Sequence, residues 1–144
     1  MKRIILTLTL GLLFVIANGQ TREQLIEQAK TYSDSGDNVN AEKVTKQIID
    51  LDSEYESNYI YWSNLGTFQR NLGKQKEALN SYNKSIKLNA KFVLAYTNRA
   101  KLYSELKETD KAVKDYNTAL EIEPFIQTAL LDLGMIYVKK ETLS

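Results

Sequence analysis

The sequence predicts an all-α fold of antiparallel helix pairs stacked side by side, and three observations predict it. Helix breakers are scarce, with one proline and six glycines in 144 residues. No window shows sustained alternation of apolar and polar residues with the period of two that a half-buried strand requires, and everything after Gln20 reads as helical. The sequence also repeats itself at 34 residues, Tyr59–Phe92 lying over Val93–Ile126. In that register Trp62 falls on Tyr96, Gly66 on Ala100, Ala78 on Ala112, Tyr82 on Tyr116, Ser85 on Ala119 and Leu88 on Ile122.

The first stretch stands apart from the repeat. Lys2 and Arg3 precede apolar runs at Ile4–Leu6 and Leu10–Ala17, followed by Ala17-Asn18-Gly19. That is the layout of a secretory signal peptide, with residues 1–19 removed and Gln20 as the new N-terminus. A membrane span needs about 20 apolar residues; this run is shorter, so cleavage is expected rather than retention as an anchor. Export, to the periplasm or the medium, follows as an expectation.

Residues 20–144 then form one repeat domain. The first unit covers about 22–55, carrying Leu25, Ala29, Tyr32, Gly36, Ala41, Ile48 and Leu51, and Glu56-Ser57-Asn58 form a three-residue insertion after it. The second and third units cover about 59–92 and 93–126. A partial fourth, 127–144, begins with Leu130, Leu133, Gly134 and Tyr137 and stops after one helix. Gly36 and Gly73 fall where a first helix must turn back, which suits the left-handed backbone. Pro124 marks the break before the last helix. Small residues at Gly66, Ala78, Ala100 and Ala112 let paired helices approach, while Trp62, Tyr82, Tyr96, Tyr103 and Tyr116 fill the space between neighbours. Tyr55, Tyr59 and Tyr61 cluster at the insertion, where packing of the junction is the simpler role.

Two antiparallel helices per unit, with a large residue fourth, small residues eighth and twentieth, and aromatics eleventh and twenty-fourth, resemble the tetratricopeptide repeat. The resemblance covers almost all of residues 20–144. It departs from the family at Ala100 in place of Gly, at Gln69 in place of an aromatic, at Thr45 in place of a large residue and at Ala90 in place of Pro. It implies a right-handed superhelical stack whose first helices line a concave groove. The groove positions it implies are Glu23, Ile26, Glu27, Lys30, Ser33 and Asp34 in the first unit. In the second they are Ile60, Ser63, Asn64, Thr67, Arg70 and Asn71, and in the third Leu94, Thr97, Asn98, Lys101, Ser104 and Glu105. Asn64, Thr67, Arg70, Asn71, Asn98, Lys101 and Glu105 are the candidate partner-binding residues, since amide and charged side chains hold an extended peptide backbone.

The family's best-known use of the Asn98 position is a carboxylate clamp for chaperone tails. Its remaining places hold Ser63, Thr67, Thr128 and Asp132, which lack the cations that would hold a carboxylate, so chaperone-tail binding is not expected. On the final helix Leu130, Leu133 and Tyr137 are expected to pack back on the third unit. Leu131, Met135 and Val138 form a second apolar stripe on the groove side, a candidate interface for a partner or for a homodimer.

Catalysis has little to work with. Without His or Cys there is no Ser-His-Asp triad, no Cys-His pair and none of the usual transition-metal ligand sets, so no metal and no cofactor are expected. Asp50 with Asp52, and Glu121 with Glu123, are spaced two apart and do not share a helix face. The Asn83-Lys84-Ser85 glycosylation pattern sits inside a helix. Removing Lys2 and Arg3 from 19 basic residues leaves 17 against 18 acidic ones, a net charge of −1 that argues against a nucleic-acid surface. No basic cluster points to a membrane surface either. The expected function is that of an exported, non-catalytic adaptor binding a peptide or helix in its groove. The alternative is a structural protein that self-associates through its last helix.

Overall fold

The computed structural model describes residues 20–51 and 57–142; the signal-like segment, Asp52, Tyr55 and the last two residues lie outside them. Among the described residues there are seven helices and no strand: α1 (Arg22–Asp34), α2 (Asn38–Leu51), α3 (Asn58–Asn71), α4 (Gln75–Leu88), α5 (Val93–Glu105), α6 (Thr109–Ile122) and α7 (Gln127–Thr142). The described part of the chain is therefore an all-helical fold, as its breaker-poor, 34-residue pattern implies.

Local chemistry sets the helix limits. Thr21 opens α1 with a capping box: its Oγ1 accepts from the Gln24 N–H at 3.3 Å, and Gln24 Oε1 accepts from the Thr21 N–H at 2.8 Å. The α1–α2, α3–α4 and α5–α6 turns share one hydrogen bond. Tyr32 O accepts from the Asp37 N–H at 2.9 Å, Gln69 O from Lys74 at 2.8 Å and Tyr103 O from Glu108 at 2.8 Å. This closure needs a left-handed residue just before the donor. Gly36 at φ 73° and Gly73 at φ 75° supply two of them, as their positions predict. The third is Lys107 at φ 61°, a site with no glycine to announce it.

Three apolar clusters follow one another along the stack. Leu25, Val44 and Ile48 anchor the first, with Tyr32 and Tyr61 against them. Ala78, Tyr82 and Leu102 form the second, joining α4 to α5. The third gathers Val93, Ala100, Ala112, Tyr116, Ala119, Ala129 and Leu133, so that α5, α6 and α7 share one core. Tyr59 belongs to the junction packing as well, its ring edge-on to Phe92 with centroids 4.8 Å apart.

Helices α3 and α4 approach closely at a glycine. A Cβ placed on Gly66 would sit 2.6 Å from the Tyr82 ring, which is itself fully buried. Gly66→Ala is accordingly expected to destabilise the protein by about 1–3 kcal/mol through overpacking, read as a lower midpoint in urea with an unchanged slope.

Several buried polar groups are paired across helices. Gln69 and Ser81 are both buried, and the Ser81 hydroxyl donates to Gln69 Oε1 at 2.6 Å. This explains the amide at a position where the family resemblance leads one to expect an aromatic ring. Arg99 donates through Nε and Nη2 to the two carboxylate oxygens of Asp115 at 2.7 and 2.8 Å, and through Nη1 to Asn83 Oδ1, tying α4, α5 and α6 together. Asn83 is thus within α4 and already engaged.

Glu42 bridges two helix pairs, accepting from Lys46 at 2.7 Å within α2 and from Lys74, before α4, at 2.6 Å. Burial pushes its carboxyl up, but the two lysines outweigh burial and hold it below the ordinary 4.5. A carboxyl lowered in the folded state contributes stability above its unfolded value and loses it as pH falls through the folded value. Glu42→Gln is expected to cost about 1 kcal/mol at pH 7, modest because both lysines are roughly half exposed. The difference from the parent protein should shrink as the pH falls below 4.5, measured by denaturant titration at stepped pH.

Candidate interaction groove

A cavity of about 890 Å³ opens where the C-terminal turns of α3 and α5, the start of α6 and one side of α7 converge. Its lining brings together four of the sequence-predicted groove residues, Arg70, Lys101, Ser104 and Glu105. It includes Met135, expected on the groove side of α7, and Asp132, at a clamp position, and adds Lys107, Asp110, Tyr116, Ile136 and Lys139, which sequence reasoning did not assign to the groove. Met135, expected in the apolar stripe, therefore lies on the cavity wall. Ile136 gave no usable signal, because a residue that both packs on the core and borders a groove looks like any core residue.

The charges are loosely paired. Arg70 Nε lies 3.8 Å from Glu105, and Arg70 Nη1 is buried with no hydrogen-bond partner among the described residues. Lys101 Nζ lies 3.9 Å from Asp132. Asp132 in turn accepts from the Tyr116 hydroxyl at 3.0 Å. Burial, and then that hydrogen bond to a carboxylate, push the Tyr116 phenol up, so it stays a donor throughout the physiological range. The cavity thus offers cations with spare donors beside an apolar wall of Met135 and Ile136.

The remaining groove candidates lie elsewhere. Thr67 is committed within its own helix pair, with its hydroxyl 3.2 Å from Ser63 O and 3.3 Å from the Tyr82 hydroxyl. Asn71 donates to Asn38 Oδ1 at 3.0 Å and braces two turns against each other. Asn64 is exposed and Asn98 half-buried, outside the cavity lining. Ser63 and Thr97, which the resemblance places in the groove, are 1% and 3% exposed. Both hold positions that the neighbouring helices cover.

On α7 the packing differs from expectation. Leu133, 9% exposed, does pack on the third unit, together with Ala129 and Ile136. Leu130 and Tyr137, expected beside it, are each 48% exposed. Among the described residues no helix is long and apolar enough to cross a membrane, and no three acidic side chains converge as a metal site.

Comparison with known proteins agrees with this architecture. Two family models match, "Tetratricopeptide repeat" over residues 93–125 and "TPR repeat" over 69–107. The photosystem I assembly protein Ycf3 of Prochlorococcus marinus is 32% identical over 126 residues, covering 85% of this chain and 68% of that protein. The chain belongs to the tetratricopeptide repeat family. Among solved structures, a tetratricopeptide repeat protein from Parabacteroides merdae is 41% identical with a TM-score of 0.75, over 83% of this chain and 47% of that one. This chain therefore spans about half the length of that relative. The first TPR of Spaghetti (RPAP3), solved bound to an HSP90 peptide, superposes with a TM-score of 0.74 over 85% of this chain and 94% of its own. At 24% identity that likeness is one of fold. Tetratricopeptide repeat domains are in general non-catalytic protein-interaction modules.

Proposed function

We propose that this tetratricopeptide repeat protein is an exported, non-catalytic adaptor that holds a peptide or helix of a partner protein in the concave groove of its stack. The observation that carries this reading is the cavity at Arg70, Lys101 and Met135. Among the described residues it combines a buried guanidinium nitrogen without a partner, a second cation 3.9 Å from its carboxylate, and an apolar wall. Such a mixture suits an extended segment whose backbone and acidic groups meet the cations while an apolar side chain lies on Met135 and Ile136. Asn98 and Asn64 lie outside the cavity lining and are the amides that the family register assigns to the groove.

A photo-crosslinking side chain placed at position 101 should trap partner protein in the producing cell, whereas the same group at exposed Lys114 on α6 should not. Arg70→Gln is expected to lower the yield from position 101 at least about tenfold, the scale for losing a charged hydrogen bond. Equal yields from both positions, or no effect of Arg70→Gln, would count against the groove.

Export rests on Lys2, Arg3 and the apolar run that ends at Ala17-Asn18-Gly19. N-terminal sequencing of protein purified from the producing cell should read from Gln20; an intact Met1 would contradict cleavage.

A further inference from the structure

The cavity at Arg70 and Lys101 is one end of a longer stripe on α5. Leu94, Asn98, Lys101 and Glu105 follow one another at steps of four, three and four residues, so they share one face of the helix. Lys101 and Glu105 stand on the cavity wall, and Leu94, at the start of α5, is 55% exposed. The 34-residue register repeats the stripe on α3, with Ile60 and Asn64 in the places of Leu94 and Asn98. Ile60 and Asn64 are exposed as well. That face is not open for want of a neighbour. Helix α5 already packs against α3, α4, α6 and α7, and Leu94 stays exposed with all of them in place. In the register of the stack, a helix following α7 would stand to α5 as α6 stands to α3, and α3 and α6 do not pack together.

Three chemistries therefore succeed one another along the groove: apolar, amide and cationic. Asn71 and Asn83 are spent on Asn38 and Arg99, but among the described residues no hydrogen bond engages the side chain of Asn64 or Asn98. At the cationic end Arg70 Nη1 is buried without a partner among those residues, and Lys101 Nζ stays 3.9 Å from Asp132, longer than a hydrogen bond. A carboxylate entering between Arg70 and Lys101 would take donors that the protein itself leaves open. Glu105 and Asp132 on the same wall disfavour a doubly charged phosphate there.

We infer that the occupant of the groove is a polyproline II segment of a partner protein carrying an aspartate or glutamate three residues from a large apolar side chain. The carboxylate sits between Arg70 and Lys101, and the apolar group on Ile60 and Leu94. This rests on the groove reading and adds to it the sequence of the ligand. The spacing follows from geometry. Leu94 and Lys101 are seven residues apart, about 10 Å along a helix. A polyproline II chain turns once in three residues and rises about 3.1 Å at each, so every third side chain points the same way about 9 Å further on. Its carbonyls make no internal hydrogen bonds and are free to accept from the Asn64 and Asn98 amides between the two ends. A helical occupant has spent its carbonyls on its own backbone and would leave both amides without acceptors.

The probe is a display library of random peptides fused at their C-termini to the carrier, so that no free terminal carboxylate takes part, panned on the purified protein. Enriched peptides should share Asp or Glu three positions from Leu, Ile, Met or Phe. Arg70→Gln and Leu94→Glu should each weaken a selected peptide at least about tenfold. Leu94→Glu changes an exposed side chain, so its thermal midpoint should match that of the parent protein. Enrichment without that spacing, no enrichment, or peptides indifferent to both substitutions overturns the inference. So does a gain of helical circular dichroism on mixing, since a helix would then own the groove. Light scattering that finds the free protein at twice its chain mass, and as a monomer with Leu94→Glu, also overturns it in favour of a second copy. The photo-crosslink at position 101 does not depend on the sequence of the ligand. If it traps partner while the spacing fails, the groove reading stands without this inference; if both fail, both fall.

Discussion

The structure depends on the distance at which paired helices can approach, set by a small residue on one helix and a tyrosine ring on the next. Gly66 beneath Tyr82 is the tightest case, with no room for another carbon. From this contact follows the burial of Ala78 and Leu102 beside the ring, and through Leu102 the joining of α4 to α5. The same arrangement repeats with Ala100, Ala112 and Tyr116, and there the core extends to Ala129 and Leu133 of α7. No pair encloses its own apolar surface; each is completed by the next. The groove is a consequence of this stacking, because it brings the ends of α3 and α5 alongside α7.

Polar groups add register to this apolar scheme. Arg99 reaches Asp115 and Asn83 from one guanidinium, so α5 cannot slide against α4 or α6 without giving up charge-assisted bonds. Glu42 serves similarly between the first and second helix pairs. Tyr116 links packing to the groove, its ring in the core and its hydroxyl on Asp132 at the cavity wall. A change in core packing at Tyr116 would therefore move the carboxylate that faces Lys101.

Much of the fold was legible because periodicity reports which residues share a face. The glycine turns, the small–aromatic pairs and the helix count follow from the repeat and the scarcity of breakers. Lys107 escaped notice because a left-handed lysine leaves no compositional trace, its turn being held by the Tyr103–Glu108 bond. Gln69 looked like a defect in the pattern until Ser81 supplied its partner, a pairing between two helices that no local signal encodes. Of the groove residues, Arg70, Lys101, Ser104 and Glu105 were found by position, while Tyr116 and Ile136 were absorbed into the core reading. Leu130 and Tyr137 were expected to be buried because their pattern is that of buried positions. Pattern specifies the face, but only a neighbouring helix can cover it.

Stability in this stack accordingly passes from helix to helix through covered faces, with α7 the helix among those described whose face is left open. Hydrogen–deuterium exchange of the isolated protein, resolved by helix, tests this most directly. The stacked arrangement predicts that amides of α3 and α5 exchange at least about tenfold more slowly than those of α7. Protection of α7 equal to that of α5 in the isolated protein would contradict it.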